Sequence, residues 1–437
     1  MREFRLLPIL LAGYLFLLIF RPYEYWPILG ELRIERVYML FFMTIVFFSK
    51  EKRFLSNPIN GAVILFSIAL LLSGIFSMNW DESWKVIEDY LKYVVFYFMV
   101  ILCIRDEIDF RFIIMAFIGV MFLYVGKSAW EFFVNGRHIY RMGIPRMIGI
   151  DVTYGDPNSF SATICYSLPL AWAMVRSFRD MPRIRRLVIA YCLLALVAII
   201  STGSRSGMIT AILFLVMISL GAARKFTVLS FVIVILVGSW AFMPEYLQTR
   251  FLSAFMDDVG PASAQESAHG RMVGFMHGMR LFAENPILGV GPNIYPLTWP
   301  GIERGTNAHN IWAQLLGELG IVGGVSFVML VMFIFLQHIA IIKSYNNSIA
   351  ILKKVSSSKT CFSVSDCNKK YLKTCNNSLF NFFDYSFFHY CVSVAIIQTL
   401  IIMLFKGWSD HNLYRYTWHF IAAITVTSRY IYNMRLK

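Results

Sequence analysis

The feature that most constrains this chain is the recurrence, from one end to the other, of apolar runs of about 17 to 23 residues, the length a helix needs to cross a bilayer. Twelve such runs fall at about 5–20, 34–49, 60–78, 89–104, 112–134, 158–175, 187–203, 206–223, 226–243, 317–342, 385–405 and 413–432. The second is short, and the last contains Arg415. With 58% of its 437 residues hydrophobic and 15% charged, the chain has too little polar surface to wrap a water-soluble core. The expectation is an all-α fold, a single membrane domain over 1–437 with about twelve transmembrane helices.

Orientation follows from where Lys and Arg fall, because positively charged short loops stay in the cytoplasm. The first run lacks a small-residue cleavage site and continues into Arg21, Pro22 and Tyr23, so it reads as a retained span rather than a signal peptide. With the N-terminus inside, the inner segments collect Arg176, Arg179, Arg183, Arg185 and Arg186, and seven lysines between Lys343 and Lys373. The net charge of +14 is thereby a topology signal. Nucleic-acid binding is the rival reading of that charge; the basic residues are instead spread over many short loops, with no soluble domain to present them. Cys103, Cys165, Cys192 and Cys391 lie in spans, and Cys361, Cys367 and Cys375 lie in an inner loop without paired CxxC spacing. Free thiols are expected, with neither a disulfide nor a zinc site.

Two segments interrupt the rhythm. The inner segment 343–384 is rich in Lys, Ser and Asn, and its part from about 350 is expected to be poorly ordered. The outer segment 244–316 is the largest on its side, and a loop of that length in a compact protein is usually functional or disordered. Helical spacing from His269 to Phe282 places Arg271, Phe275 and Phe282 near one face. NPILGVGPN then turns the chain back, with Pro286, Gly289, Gly291 and Pro292 as its breaks.

Three outer constellations carry chemistry. In Gly203 to Gly207, small residues flank Arg205 beside Ser204, so that the backbone can approach a ligand and a guanidinium can hold phosphate oxygens. The plainer reading of Arg205 is a side chain snorkelling to headgroups. Arg271, with Arg280 nine residues on, supplies further cations for a diphosphate leaving group, the alternative being ion pairing with Glu266 or Glu284. His309 and Asn310 are followed after nine residues by Gly320 and then Gly323, and an imidazole there can take a proton from an attacking hydroxyl. A lone membrane His is otherwise a structural residue or an interfacial anchor.

Two more outer stretches are polar. Arg137, His138, Arg141 and Arg146 run against the charge bias and suggest an anionic ligand. Asp410, His411, Arg415 and His419 read as an aromatic belt with structural pairing.

The order of YGDPNSF, STGSRSG, GR followed by ENPILGVGPN, and the His309–Asn310–Gly320–Gly323 pattern resembles the superfamily of O-antigen ligases, O-antigen polymerases and protein O-oligosaccharyltransferases. The resemblance covers about residues 150–340; the ends match in hydropathy only. It implies a GT-C-like inner-membrane enzyme with its site facing the periplasm, which makes 244–316 a periplasmic loop and 343–384 a cytoplasmic one. It also implies an undecaprenyl-diphosphate-linked glycan as donor, lipid A core or a growing glycan as acceptor, and no metal or other cofactor. Carried over by motif, His309 would be the base, and Arg205 and Arg271 would bind the diphosphate. Arg280 would add to them, with Asn310, Ser204, Asp156 and Asn158 in support. Asp156 and Asn158 also read as an ordinary helix start. Ligase, polymerase and protein-directed members share these motifs. A transporter of lipid-linked sugars is the main competitor from another class, although two matched six-span halves around a central inner loop would be expected of it. A non-catalytic assembly scaffold is a second.

Overall fold

The computed structural model describes residues 5–49, 55–141, 143–241, 243–252, 262–301, 303, 305–357 and 369–436, without the side chains of 262–268, 352–384 and 435–436. Glu266, Cys361, Cys367 and Cys375 thus fall outside the described side chains. The helices are α1 (Leu6–Phe20), α2 (Pro22–Tyr25), α3 (Pro27–Glu31), α4 (Ile34–Phe48), α5 (Pro58–Ile75), α6 (Trp80–Cys103) and α7 (Glu107–Phe133). A hairpin of β1 (Ile139–Arg141) and β2 (Ile144–Arg146) follows. Then come α8 (Pro157–Ser177), α9 (Pro182–Ser201), α10 (Arg205–Leu220), α11 (Lys225–Ala241), α12 (Glu245–Leu252), α13 (Ala262–Glu284), α14 (Ile311–Ser357), α15 (Lys369–Gly407) and α16 (Tyr416–Leu436).

Short polar side chains set many of the helix starts, because each satisfies an amide that the first turn leaves open. Asn57 accepts from the Ile59 amide at 3.0 Å before α5, and Asn79 from the Glu82 amide at 3.2 Å before α6. Asp106 serves α7 in the same way, through the amides of Ile108 and Asp109. Pro58, Pro157 and Pro182 occupy the first helical position, where a missing N–H costs nothing.

Each of the twelve apolar runs falls largely on a helix. Among the described residues six helices are long and apolar enough to cross a membrane: Leu6–Tyr25, Pro58–Ile75, Glu107–Phe133, Pro182–Ser201, Ile311–Ile351 and Tyr385–Gly407. Helices α4, α10 and α11 have 15, 16 and 17 residues. Helix α8 is central, with nearly every residue buried, and packs on α9 and α15. Helix α14 packs on α5, α13 and α15. At the periphery α11 turns Phe231, Val234 and Val237 outward, as a lipid-facing helix does.

Three expectations change. The segment 137–146 contains a hairpin, pairing Ile139 with Arg146 and Arg141 with Ile144, so the fold is mostly rather than wholly helical. The inner stretch expected to be poorly ordered is helical where described, since α14 continues to Ser357 and α15 begins at Lys369. Helix α14 also starts six residues ahead of the expected 317, because it contains a break at Gly320.

A buried polar network joins four helices far from the loop 244–316. Glu107 accepts from Arg111 at 2.8 Å and meets His389 at 2.6 Å, and His389 meets Ser428 at 2.8 Å. His338 lies between Ser393 and Thr425, at 3.0 and 2.9 Å.

Candidate active site

The turn between α9 and α10 builds the floor of the site. Helix α9 ends at Ser201, Gly203 adopts φ +57, and the Ser204 hydroxyl accepts from the Gly207 amide at 3.2 Å. Arg205 is therefore the first residue of α10, at the positive end of the helix dipole. Gly207 lets α10 close on α8: a Cβ there would lie 2.6 Å from the Ser161 hydroxyl.

Four other cations converge on this turn from four elements. From β2, Arg146 donates through Nε to the Thr202 carbonyl at 2.7 Å and through Nη2 to the Asn158 side-chain oxygen at 3.0 Å. From α12, Arg250 donates to the Gly203 carbonyl at 3.3 Å. From the end of α15, Lys406 reaches the Ser206 hydroxyl at 2.5 Å. From α13, Arg271 is an electrostatic neighbour of Arg205, Arg250 and Lys406. Lys406, Arg146 and Arg250 are 0%, 1% and 5% exposed. Burial holds Arg271 below the ordinary arginine value, the nearby Asp410 opposing it, and burial brings Arg146 down to about 10. Buried like charges are costly, and five cations around one turn make a positive field that favours an anion there.

His309 stands beside that site. It takes a left-handed φ of +46, directly before Asn310, which is buried and accepts from the amides of Trp312 and Ala313 at 2.9 and 3.1 Å to start α14. The strained residue is thus fixed by the cap that follows it. The ring packs edge-on against His411, with centroids 5.3 Å apart, and keeps an exposed surface on the other side. Burial within the surrounding protein, then the charges of His411 and Arg271, push its pKa down to about 4, while Asp410 and Asp156 pull the other way. The imidazole is neutral at neutral pH and able to accept a proton. Burial would raise the Asp410 carboxyl; the charges of Arg415, His411 and Lys406 hold it below its ordinary value, so it stays ionised. Arg415 is its closest cation, at 3.3 Å.

The turn NPILGVGPN ties the loop to α14. Gly320 has φ +61 and ψ −159, which interrupts the helix and frees carbonyls at its broken turn. Val290 and Gly291 donate to the carbonyls of Gly317 and Glu318, both at 3.0 Å, while Ile321 donates to Pro286 at 2.9 Å. Gly289 approaches so closely that a Cβ would lie 2.3 Å from the Glu318 carbonyl carbon. The Glu318 carboxylate, buried inside the bundle, accepts from Tyr414 at 2.7 Å and from Gln314 at 3.3 Å.

Residues 190–328 match the family model described as O-antigen ligase. The match supports the superfamily of O-antigen ligases and polymerases, whose members are glycosyltransferase-like. It takes in Arg205, Arg250, Arg271, His309, Asn310 and Gly320, and it leaves Arg146, Lys406 and Asp410 outside. No curated protein matches the chain.

Within the matched stretch, Arg205 and His309 are both electrostatic neighbours of Arg271. Ser204 and Asn310 serve as helix caps, and Asn158 holds Arg146. Asp156 caps α8 through the Asn158 amide at 3.0 Å and lies 3.7 Å from Arg141. Arg280 stands apart: its side chain is 70% exposed and pairs with Glu284 one turn on, at 2.8 Å. Asp410 pairs with Arg415, as its reading as a pairing residue expects, and with His411 it also flanks His309, because the α15–α16 loop folds over the start of α14. Sequence reasoning also missed Arg250, Glu318 and Lys406. The signal available for the last two was a charge inside an apolar helix, which is rare unless it has work to do.

Below the cations a groove of about 260 Å³ runs between α14 and α15. Its walls are apolar throughout, among them Trp312, Phe327, Val331, Phe335, Ile401 and Leu404. Trp312 is two residues from Asn310 and Leu404 two residues from Lys406, so the groove begins where the charged site ends.

Proposed function

We propose that the chain is an O-antigen ligase-type glycosyltransferase of the bacterial inner membrane, moving a glycan from undecaprenyl diphosphate to a hydroxyl of lipid A core on the periplasmic side. The observation that carries this reading is the gathering of Arg146, Arg205, Arg250, Arg271 and Lys406 beside a neutral imidazole, directly above an apolar groove. A lipid-linked diphosphate has that same division into an anionic head and an apolar tail. In this reading all twelve apolar helices cross the membrane, and the segment 244–316 is a periplasmic loop over the site.

The reaction is a direct displacement. The acceptor oxygen attacks the anomeric carbon and its proton passes to His309, while the bond from that carbon to the diphosphate breaks and the electron pair leaves with the diphosphate. Arginines and Lys406 hold the departing charge where water is scarce, the largest contribution such a site can make. Asp410 faces the imidazolium that forms and stabilises it, as a carboxylate does beside a catalytic histidine. The donor is already activated, so no nucleotide is consumed.

The test is transfer by purified protein, correctly inserted in bilayers, from lipid-linked glycan. His309→Ala and Arg271→Lys proteins are expected to lose most of the rate; transfer at the parent rate by both removes the assignment. In a deletion strain a lost ligase leaves carrier-linked polymer unattached. Accumulation of single repeat units would make the chain a polymerase of the same superfamily.

A further inference from the structure

A second concavity lies on the far side of Tyr154. It is a groove of about 350 Å³ between the segment that links α1 to α4 and the outer half of α6. Its walls supply Arg21, Arg33, Arg36 and Lys92 with the carboxylates of Glu35 and Asp89; Arg21 pairs with Glu24, Arg36 with Glu88 at 2.8 Å and Lys92 with Asp89 at 2.7 Å. Tyr23, Tyr93 and Thr153 add hydroxyls and ring surface. Mixed fork-shaped cations, carboxylates, hydroxyls and aromatic rings suit a polyhydroxylated ligand bearing negative charge, and suit an acyl chain poorly.

One buried donor in the groove wall has nothing to bond. Arg21 is 8% exposed and holds Thr153 through Nη1 at 2.8 Å, yet its Nε has no partner among the described residues. An orphaned buried donor is rare enough to need an explanation, and a ligand in the groove supplies one. Arg21 is itself over-determined. It sits at φ +50, pairs with Glu24 and faces the Tyr154 ring at 5.0 Å, while Glu24 clamps the amides of Val152 and Thr153 at 2.7 and 2.9 Å. The groove is therefore a built feature and not a gap between mobile side chains.

Its position indicates which substrate it would serve. Tyr154 meets Arg21 at 5.0 Å on one side and Arg415 at 4.9 Å on the other, and Arg415 pairs with Asp410 beside His309. One aromatic ring thus separates the groove from the acid–imidazole group, on a different side from the apolar groove of α14 and α15. We propose that this groove binds an anionic sugar, one carrying a phosphate or carboxylate, and positions the acceptor glycan. The assignment to the acceptor rests on the function proposed above; the binding of a charged sugar does not.

Binding is measured on the full chain in phosphatidylcholine nanodiscs, in an Arg205→Gln, Arg271→Gln background that weakens the other anion site. Glucose 6-phosphate, glucose and inorganic phosphate are the probes. Glucose 6-phosphate is expected to bind at least ten times more tightly than either of the others. Tyr23→Phe removes one hydroxyl from the groove wall and should weaken the sugar phosphate about fivefold or more, with an unchanged unfolding temperature as the check that the fold is kept. Arg33→Gln with Arg36→Gln should weaken it similarly. Equal binding of inorganic phosphate, or no change in either variant, overturns the proposal. So does abolition of binding by phosphatidylglycerol in the disc, which would make the groove a headgroup site. Loss of transfer in the catalytic variants leaves this result untouched, and the two readings fail separately.

Discussion

Gly320→Ala tests whether the break in α14 is what fixes the site. At φ +61 and ψ −159 the residue occupies backbone space that is essentially closed to side chains, worth about 1–3 kcal/mol of strain. The added Cβ would also lie 2.4 Å from the Ile287 carbonyl oxygen, 2.5 Å from its carbon and 2.7 Å from the Leu288 nitrogen. All three are backbone atoms, which cannot rotate aside, so the 286–291 turn must retreat. Retreat lengthens the bonds from Ile321 to Pro286 and from Val290 to Gly317, now 2.9 and 3.0 Å. A buried bond left unmade costs about 1–3 kcal/mol. With both bonds lost the sum is about 3–9 kcal/mol, well above a typical single substitution. Thermal unfolding of the purified protein in detergent should fall by roughly 5–15 °C. Glycan transfer should fall with it, because His309 and Asn310 head the half-helix that the break orients. Gly320→Asn should lose as much, because ψ −159 lies outside the left-handed well that Asn tolerates and the added Cβ meets the same backbone. Gly119→Ala, where a Cβ meets nothing within 4 Å, is the control and should melt with the parent or slightly above it. A Gly320→Ala protein that melts and transfers like the parent refutes the reasoning.

Other outcomes follow from the same geometry. Arg205→Gln or Arg271→Gln should each raise the donor KM about 10- to 150-fold, the worth of a charge-assisted bond of about 1.5–3 kcal/mol, with the acceptor KM little changed. Lys406→Met keeps the buried stem volume and removes the charge beside Ser206, so donor affinity should drop while the unfolding temperature holds. Asn310→Ala removes the cap of α14 and should cost about 0.5–2 kcal/mol of stability, read from chemical denaturation. Because the His309 pKa lies at about 4, below its ordinary value, its neutral form prevails until the pH falls through that value. Transfer at subsaturating donor, which reports the free enzyme, should therefore stay flat from pH 8 down to about 5. A fall centred near pH 6.5 would contradict the assigned environment.

The helices were readable because lipid imposes one requirement on them, an unbroken apolar length, and each such stretch is largely helical here. The site was readable in part, where short motifs combine glycine with a charged residue. GSRSG announced small residues around a cation, and the structure puts Arg205 directly after a turn at Gly203. Arg250 was not readable, because what matters is its approach to the Gly203 carbonyl from 47 residues away, and for Lys406 a charge at the end of an apolar helix marked the residue but not its reach to the Ser206 hydroxyl. The hairpin 139–146 escaped notice because its three-residue strands are too short for alternation to register. Arg280 shares a helix with Arg271, yet nine residues turn it half a revolution away, onto the open face beside Glu284.

The Glu107–Arg111–His389 network bears on the transporter alternative. It lies about 25 Å along α15 from Lys406, at the opposite end of the bundle. A carrier works by opening each end in turn, and to open this one α7 would have to part from α15. Parting breaks the contact between Glu107 and His389 and leaves the carboxylate only Arg111, on its own helix. For the transferase proposed above that contact is a latch, and a molecule too large to slip through would enter and leave by the mouth it came from.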